Sequence, residues 1–171
     1  MIGTKVVIHG DENIVKAIVS NNQGSFPSGW EYADAAKYYA ELFEKKNSIN
    51  IILKDNEKII GHLLAIPHND AVDELKTDDP AMRKDASGYY IETVAILPGH
   101  RGKKGLSAML ETLKDELKKR GINNISLHAR VSNDFTKIIQ KKMKVTNIRR
   151  IDKWKYYNYE EPTDYIEAAF K

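Results

Sequence analysis

Residues 94–107 read VAILPGHRGKKGLS, a strand-forming run that passes through a basic, glycine-bearing turn straight into a helix. A turn of that kind binds anions. The first backbone N–H groups of a helix have no partner within it, and the helix dipole is positive at that end. Arg101, Lys103 and Lys104 bring their charges to the same small region, an arrangement that suits a pyrophosphate. Gly105 would let main chain approach such a ligand closely. The spacing is not that of a P-loop, whose glycine-to-lysine distance and Lys-Ser/Thr ending are missing. Nor is it a dinucleotide fingerprint with three spaced glycines. On spacing alone, a solvated basic turn between strand and helix fits equally well.

Two side chains stand where a proton could be moved. Glu92 interrupts a mostly apolar strand, and strict alternation places it on one face with Tyr90, Val94 and Ile96. An acid there is either a general base or half of an ion pair with a neighbouring strand. His128 alternates with Ser126 and Arg130 on the polar face of Ile125 to Val131. A histidine titrates near neutrality, so it is a second candidate base; a surface or packing role is the other reading. His9, His62, His68 and His100 lack paired metal-ligand spacing, which gives no metal site. With no cysteine, disulfides, thiolate zinc sites, iron–sulfur clusters and cysteine nucleophiles are excluded, in keeping with a reducing cytoplasm.

The elements that must position these groups follow from periodicity and punctuation. Lys5 to His9 is a short strand ended by Gly10, and Asp11 caps a helix carrying Ile14, Val15, Ile18 and Val19, stopped by Asn21 to Ser25. Ser28 and Glu31 have capping-box spacing, opening a helix whose Ala33, Ala36, Tyr39, Ala40 and Phe43 form a stripe. Ile49 to Leu53 and Lys58 to Ile66 read as a hairpin through Lys54 to Glu57. Residues 67–87 form a long polar loop with one short helix near Asp70 to Leu75. Tyr89 to Leu97, Lys104 to Arg120 and Ile125 to Val131 make a strand–helix–strand unit, its helix closed by Gly121. Asn133 caps a last helix, and Val145 to Tyr159 and Tyr165 to Phe170 are closing strands joined through Glu160 to Thr163.

The 171 residues predict one domain spanning 1–171, and 42% hydrophobic with 30% charged residues is ordinary globular composition. No apolar run reaches the roughly 18 residues of a membrane span, and the first residues lack the pattern of a secretory signal. A net charge of +3 is far from that of a dedicated nucleic-acid binder, so nucleic acid and membrane are not expected partners.

The strand, Pro98-Gly99-His100-Arg101, Gly102 to Ser107 and the following helix resemble the GNAT-type N-acetyltransferase superfamily, whose pattern is Pro-x-x-Arg/Gln-x-x-Gly-x-Gly/Ala. The resemblance implies a single α/β (α+β) domain, a central twisted mixed sheet of six to seven strands with about four helices on its two faces. It implies acetyl-CoA as acyl donor, its pantetheine between two splayed strands against Val94, Ala95 and Ile96. The pyrophosphate would lie on Gly102, Lys103, Lys104, Gly105, Leu106 and Ser107, with Arg101 and Asn133 beside the cofactor. It implies transfer of acetyl to a primary amine by direct attack, without a covalent enzyme intermediate. Lys104 and Leu106 fall where the family prefers small residues, in the register that keeps Met109, Leu110 and Leu113 on the core face. Gln140 stands where relatives carry a tyrosine that protonates the thiolate, and Lys144-Val145 replaces Gly-Phe. Tyr156, Tyr157, Tyr159 or solvent is then left for that task, or the chain is an acyl-CoA-binding module without turnover. A nucleic-acid-binding domain using Lys141 to Lys155 is the more remote alternative. The acceptor should be bordered by Asn21 to Trp30, residues 67–87 and Trp154 to Tyr159; its identity, and the choice between monomer and homodimer, stay open.

Overall fold

The computed structural model describes residues 1–25, 34–84, 88–156 and 159–171, without the side chains of Tyr156 and Tyr159. The expected capping box Ser28 to Glu31, Ala33, Trp30, Tyr157 and Asn158 lie outside the described residues.

Strands β1 (Ile2–Val7), β2 (Ile49–Asp55), β3 (Lys58–Pro67), β4 (Gly88–Ile96), β5 (Asn124–Arg130), β6 (Met143–Tyr156) and β7 (Tyr159–Phe170) form one sheet in the order β1-β2-β3-β4-β5-β7-β6. Every neighbouring pair is antiparallel except β4 and β5, which are parallel and joined by a helix. Among the described residues the helices are α1 (Glu12–Ser25), α2 (Ala35–Glu44), α3 (His68–Leu75), α4 (Gly105–Lys118) and α5 (Phe135–Lys142), in keeping with the expected architecture.

Two apolar cores flank the sheet. Met109, Leu110, Leu113 and Leu117 of α4 and Ile139 of α5 pack on Ile51, Leu53, Leu63, Ile91, Ile125 and Leu127. The α4 register chosen from the apolar residues is therefore the one adopted. Val15 and Ile18 of α1, Tyr39, Leu42 and Phe43 of α2 and Ala71 and Val72 of α3 cover the opposite face with Ile52, Leu64, Ile66 and Tyr90. β3 runs apolar almost throughout because it is buried on both faces.

Several boundaries differ from the sequence reading, each for a physical reason. The first strand lies at Ile2–Val7, pulled toward the terminus by its pairing of Ile2 with Asp55 and Val7 with Asn50. Helix α1 is capped as expected, Asp11 Oδ1 accepting the Ile14 N–H at 2.9 Å, but runs on through Asn21 and Asn22, which are buried. In α2, Leu42 takes the core position that the periodic stripe gave to Ala36, which is exposed. Glu160 to Thr163 are not a turn: they belong to β7, which begins at Tyr159. Pro162 is tolerated there because the β6 register shifts between Ile151 and Trp154, opposite the residue that has no N–H to offer.

Candidate active site

β4 and β5 pair only at Gly88 with Asn124, Tyr89 with Ile125 and Tyr90 with Ser126. Beyond that point β4 stays on β3 and β5 on β7, so the two parallel strands part and leave a wedge. Main-chain groups alternate in direction along a strand. The Ala95 carbonyl points at β3, where a Cβ on Gly61 would meet it at 2.7 Å, which turns Val94 and Ile96 toward the wedge. The Ile96 carbonyl already accepts the Arg101 Nε–H at 3.0 Å and the Ser25 hydroxyl at 3.3 Å.

The turn at the end of β4 passes twice through the left-handed region. Gly102 has φ +77° and open space beside its Cα, and Lys104 has φ +62°, the left-handed conformation that glycine adopts most readily. Lys104 thus occupies a position where a small glycine is preferred and takes the conformation glycine favours. The first internal bond of α4 is Ala108 N–H to the Lys104 carbonyl, so the amides of Gly105, Leu106 and Ser107 are spare. Lys103 and Lys104 are exposed beside them. Lys142, on the last turn of α5, donates to Ser107 Oγ at 2.6 Å, a cation that sequence spacing alone did not place here. Arg101, itself exposed, folds back onto the strand instead, its guanidinium also donating to the Ser25 carbonyl at 3.2 Å and tying the end of α1 to β4. The capping position of α5 is Asp134, in the left-handed conformation, rather than the expected Asn133; Asn133 lies one residue earlier, its Oδ1 accepting the Phe135 N–H at 3.0 Å, and Gln140 is exposed.

Gly105 also serves packing, apart from any approach to a ligand. A Cβ there would meet Leu53 Cδ2 at 2.6 Å and Ile96 Cδ1 at 3.3 Å, so the residue lets α4 seat on β2 and β4. Gly105→Val is expected to lower stability by about 1–3 kcal/mol through overpacking, measured by urea denaturation. An unchanged midpoint would show that Leu53 repacks without cost.

Glu92 sits at a β-bulge. Ile91 pairs with Ala65 and Thr93 with Leu64, so Glu92 is the extra residue on β4. The bulge resets the alternation. Val94 and Ile96 pack in the α4 core with Ile91, whereas Glu92 faces α2, where it accepts the Tyr38 hydroxyl. The expectation that Glu92 shares a face with Val94 is thereby corrected. Burial pushes its carboxyl up from the ordinary value, against the pull of the Tyr38 hydrogen bond and of Lys45. Lys45 is itself paired with Glu74 at 2.6 Å, and no ion pair to Glu92 forms among the described residues.

His128 is not on a solvated face: its side chain is 4% exposed. Nδ1 lies 2.8 Å from the Tyr90 hydroxyl, Nε2 lies 3.0 Å from Asp79 Oδ2, and the ring stacks on Trp154 with centroids 4.2 Å apart. Burial depresses its pKa and outweighs the Asp79 carboxylate. The sequence reading places Asp79 only within the polar loop of residues 67–87. Burial pushes its carboxyl up, yet the hydrogen bonds from His128 and Arg149 and the charge of Arg149 bring it down to about 2. A depressed acid stabilises the fold above its unfolded pKa, so stability should fall as pH drops from about 4 toward 2. Asp79→Asn is expected to flatten that limb of a Tm-against-pH curve; an equally steep fall would exclude Asp79 as its source.

Among the described residues no three His, Asp or Glu side chains are placed to hold a metal ion, and no helix is long and apolar enough to cross a membrane.

No curated protein sequence matches the chain. Solved structures share its fold. Ribosomal-protein-S18-alanine N-acetyltransferase from Escherichia coli superposes with TM-score 0.70 at 18% identity, covering 100% of this chain and 95% of that one. Arabidopsis thaliana NAA60, solved with acetyl-CoA, gives 0.72 at 13% identity, covering 99% and 98%. Aminoglycoside 6'-acetyltransferase type Ii gives 0.67 at 12% identity, covering 97% and 96%. The model of the acetyltransferase (GNAT) family matches residues 15–137, which takes in the wedge, the anion turn and both candidate bases, and the chain belongs to that family.

Proposed function

We propose that the chain is an N-acetyltransferase that moves the acetyl group of acetyl-CoA directly to a primary amine. The observation that carries this reading is the wedge between β4 and β5, which opens beside the spare amides of α4. Val94 and Ile96 offer main chain to the pantetheine within the wedge. Gly102, Lys103, Lys104, Gly105, Leu106, Ser107 and Lys142 surround the diphosphate, with Asn133 beside the cofactor and Arg101 bracing the turn. Glu92 takes the proton of the attacking amine through a water, for which a carboxyl raised by burial is suited. A β4 main-chain N–H faces the oxyanion. His128 stands behind Tyr90 on the acceptor side. Tyr156, at the end of β6, or solvent returns a proton to the thiolate in place of the tyrosine that Gln140 replaces.

The three relatives share one fold although their descriptions name a protein alanine in one case and an aminoglycoside in another. The acceptor panel therefore takes a short peptide with a free N-terminal alanine, spermidine and kanamycin. Incubation with acetyl-CoA should release thiol only when an amine is added. Tight acetyl-CoA binding without amine-dependent release for all three would replace the enzyme by a binding module.

A further inference from the structure

At the other end of α4 from the anion turn, about 20 Å along the helix, a depression of about 410 Å³ opens beside the end of β1. Val6, Ile8, Phe43, Glu44, Ile49 and Arg120 are among the residues that line it. Its volume falls at the lower end of the range for small-molecule sites, about 300–1,000 Å³. Two large apolar side chains are left in solvent at this one place, Val6 at 37% and Ile8 at 76% exposure.

Most charges around the depression are already answered. Lys45 pairs with Glu74 at 2.6 Å and Glu116 with Lys119 at 2.5 Å. Two are not. Arg120 makes no ion pair among the described residues: its Nη1 donates to the Asn47 carbonyl at 2.9 Å and to the Tyr89 hydroxyl, and the guanidinium carbon lies 5.3 Å from the Tyr89 ring centroid. Those contacts occupy both Nη1 hydrogens and fix the plane of the fork. The Nε and Nη2 hydrogens remain, the edge that grips a carboxylate through two parallel bonds. Glu44 meets only His9, whose Nδ1 lies 3.4 Å from Oε1, and among the described residues no lysine or arginine. It closes α2, where the helix dipole is negative and a cation is favoured.

A guanidinium asks for an anion and a carboxylate for a cation, and one small ligand supplies both. We infer that the depression binds a free α-amino acid with an apolar side chain, its carboxylate on Arg120, its ammonium on Glu44 and its side chain over Val6 and Ile8. A simple acid would meet Glu44 and a simple amine would meet Arg120, so each is turned away by a like charge. The site stands apart from the wedge and needs neither acetyl-CoA nor acetyl transfer.

Titration of the full chain with L-leucine, followed by calorimetry and by ¹H–¹⁵N shifts, tests this. Leucine should bind saturably and move the amides of Val6, Ile8 and Arg120. 4-Methylpentanoate, 3-methylbutylamine and glycine, which lack the ammonium, the carboxylate and the apolar group in turn, should each bind at least about tenfold more weakly. Glu44→Gln and Arg120→Gln should each weaken leucine by at least about tenfold and leave the Kd for acetyl-CoA within about twofold. If Arg120→Gln does not fold, Glu44→Gln and the analogues decide. Leucine that moves none of the three amides, binds Glu44→Gln as it binds wild type, or is matched by any of the analogues overturns the proposal. Leucine that moves the amides of Tyr38 and Glu92 instead is an acetyl acceptor, which overturns the second site and leaves acetyl transfer standing.

Discussion

Glu92→Gln should bind acetyl-CoA as wild type does and turn over about 10²-fold more slowly. The amide is nearly isosteric with the carboxylate and can still accept the Tyr38 hydroxyl, so the bulge and α2 should stay in place. What it cannot do is take up a proton. In wild type, kcat/KM should rise with pH as Glu92 loses its proton, at a pH above the ordinary carboxylate range because burial raises that pKa. The acidic limb should flatten in Glu92→Gln. His128→Ala should leave kcat within about threefold and act mainly on acceptor KM, because both ring nitrogens are already engaged and the ring is buried neutral. The reverse pattern, with His128→Ala abolishing turnover and Glu92→Gln leaving it intact, would move the base to β5. Loss of folding in Glu92→Gln would instead assign the carboxylate a structural role.

Much of the frame was legible because its signals are local. The strand, basic turn and periodic helix around residues 94–118 needed only a period of two giving way to 3.6, and Asp11 and Gly121 mark helix ends by their own chemistry. Features that depend on pairing were not legible. The bulge that turns Glu92 away from Val94 is created by the β3 register, and a single sequence carries no sign of which residue lacks an opposite number. Asn21 and Asn22 read as a helix stop, yet buried contacts hold them helical. Glu160 to Thr163 have turn composition, but the register shift in β6 absorbs Pro162. At the site, Asp79 was hidden for the same reason: an acid in a loop of acids becomes distinctive only when the fold closes it against His128 and Arg149, residues 49 and 70 positions away. Lys142 likewise joins the anion turn only because α5 ends beside α4.

Charge reversal at the turn gives the other large effect. Lys103→Glu with Lys104→Glu should weaken acetyl-CoA binding roughly 30-fold or more at low salt, since two charge-assisted contacts to phosphate become repulsive. Neither substitution disturbs the backbone in a new way, because Lys104 already holds φ +62° without the help of glycine and both side chains are exposed. The loss should shrink as salt is added, as the interaction of exposed charges must. It should not vanish, because the amides of Gly105 to Ser107 and Lys142 beside Ser107 remain to bind the diphosphate. That residue of affinity separates two origins of binding. If the double variant binds as tightly as wild type by calorimetry, the turn is a solvated surface and the diphosphate lies elsewhere. If binding falls at low salt and partly recovers in salt, the side chains supply long-range attraction while the end of α4 supplies the seat.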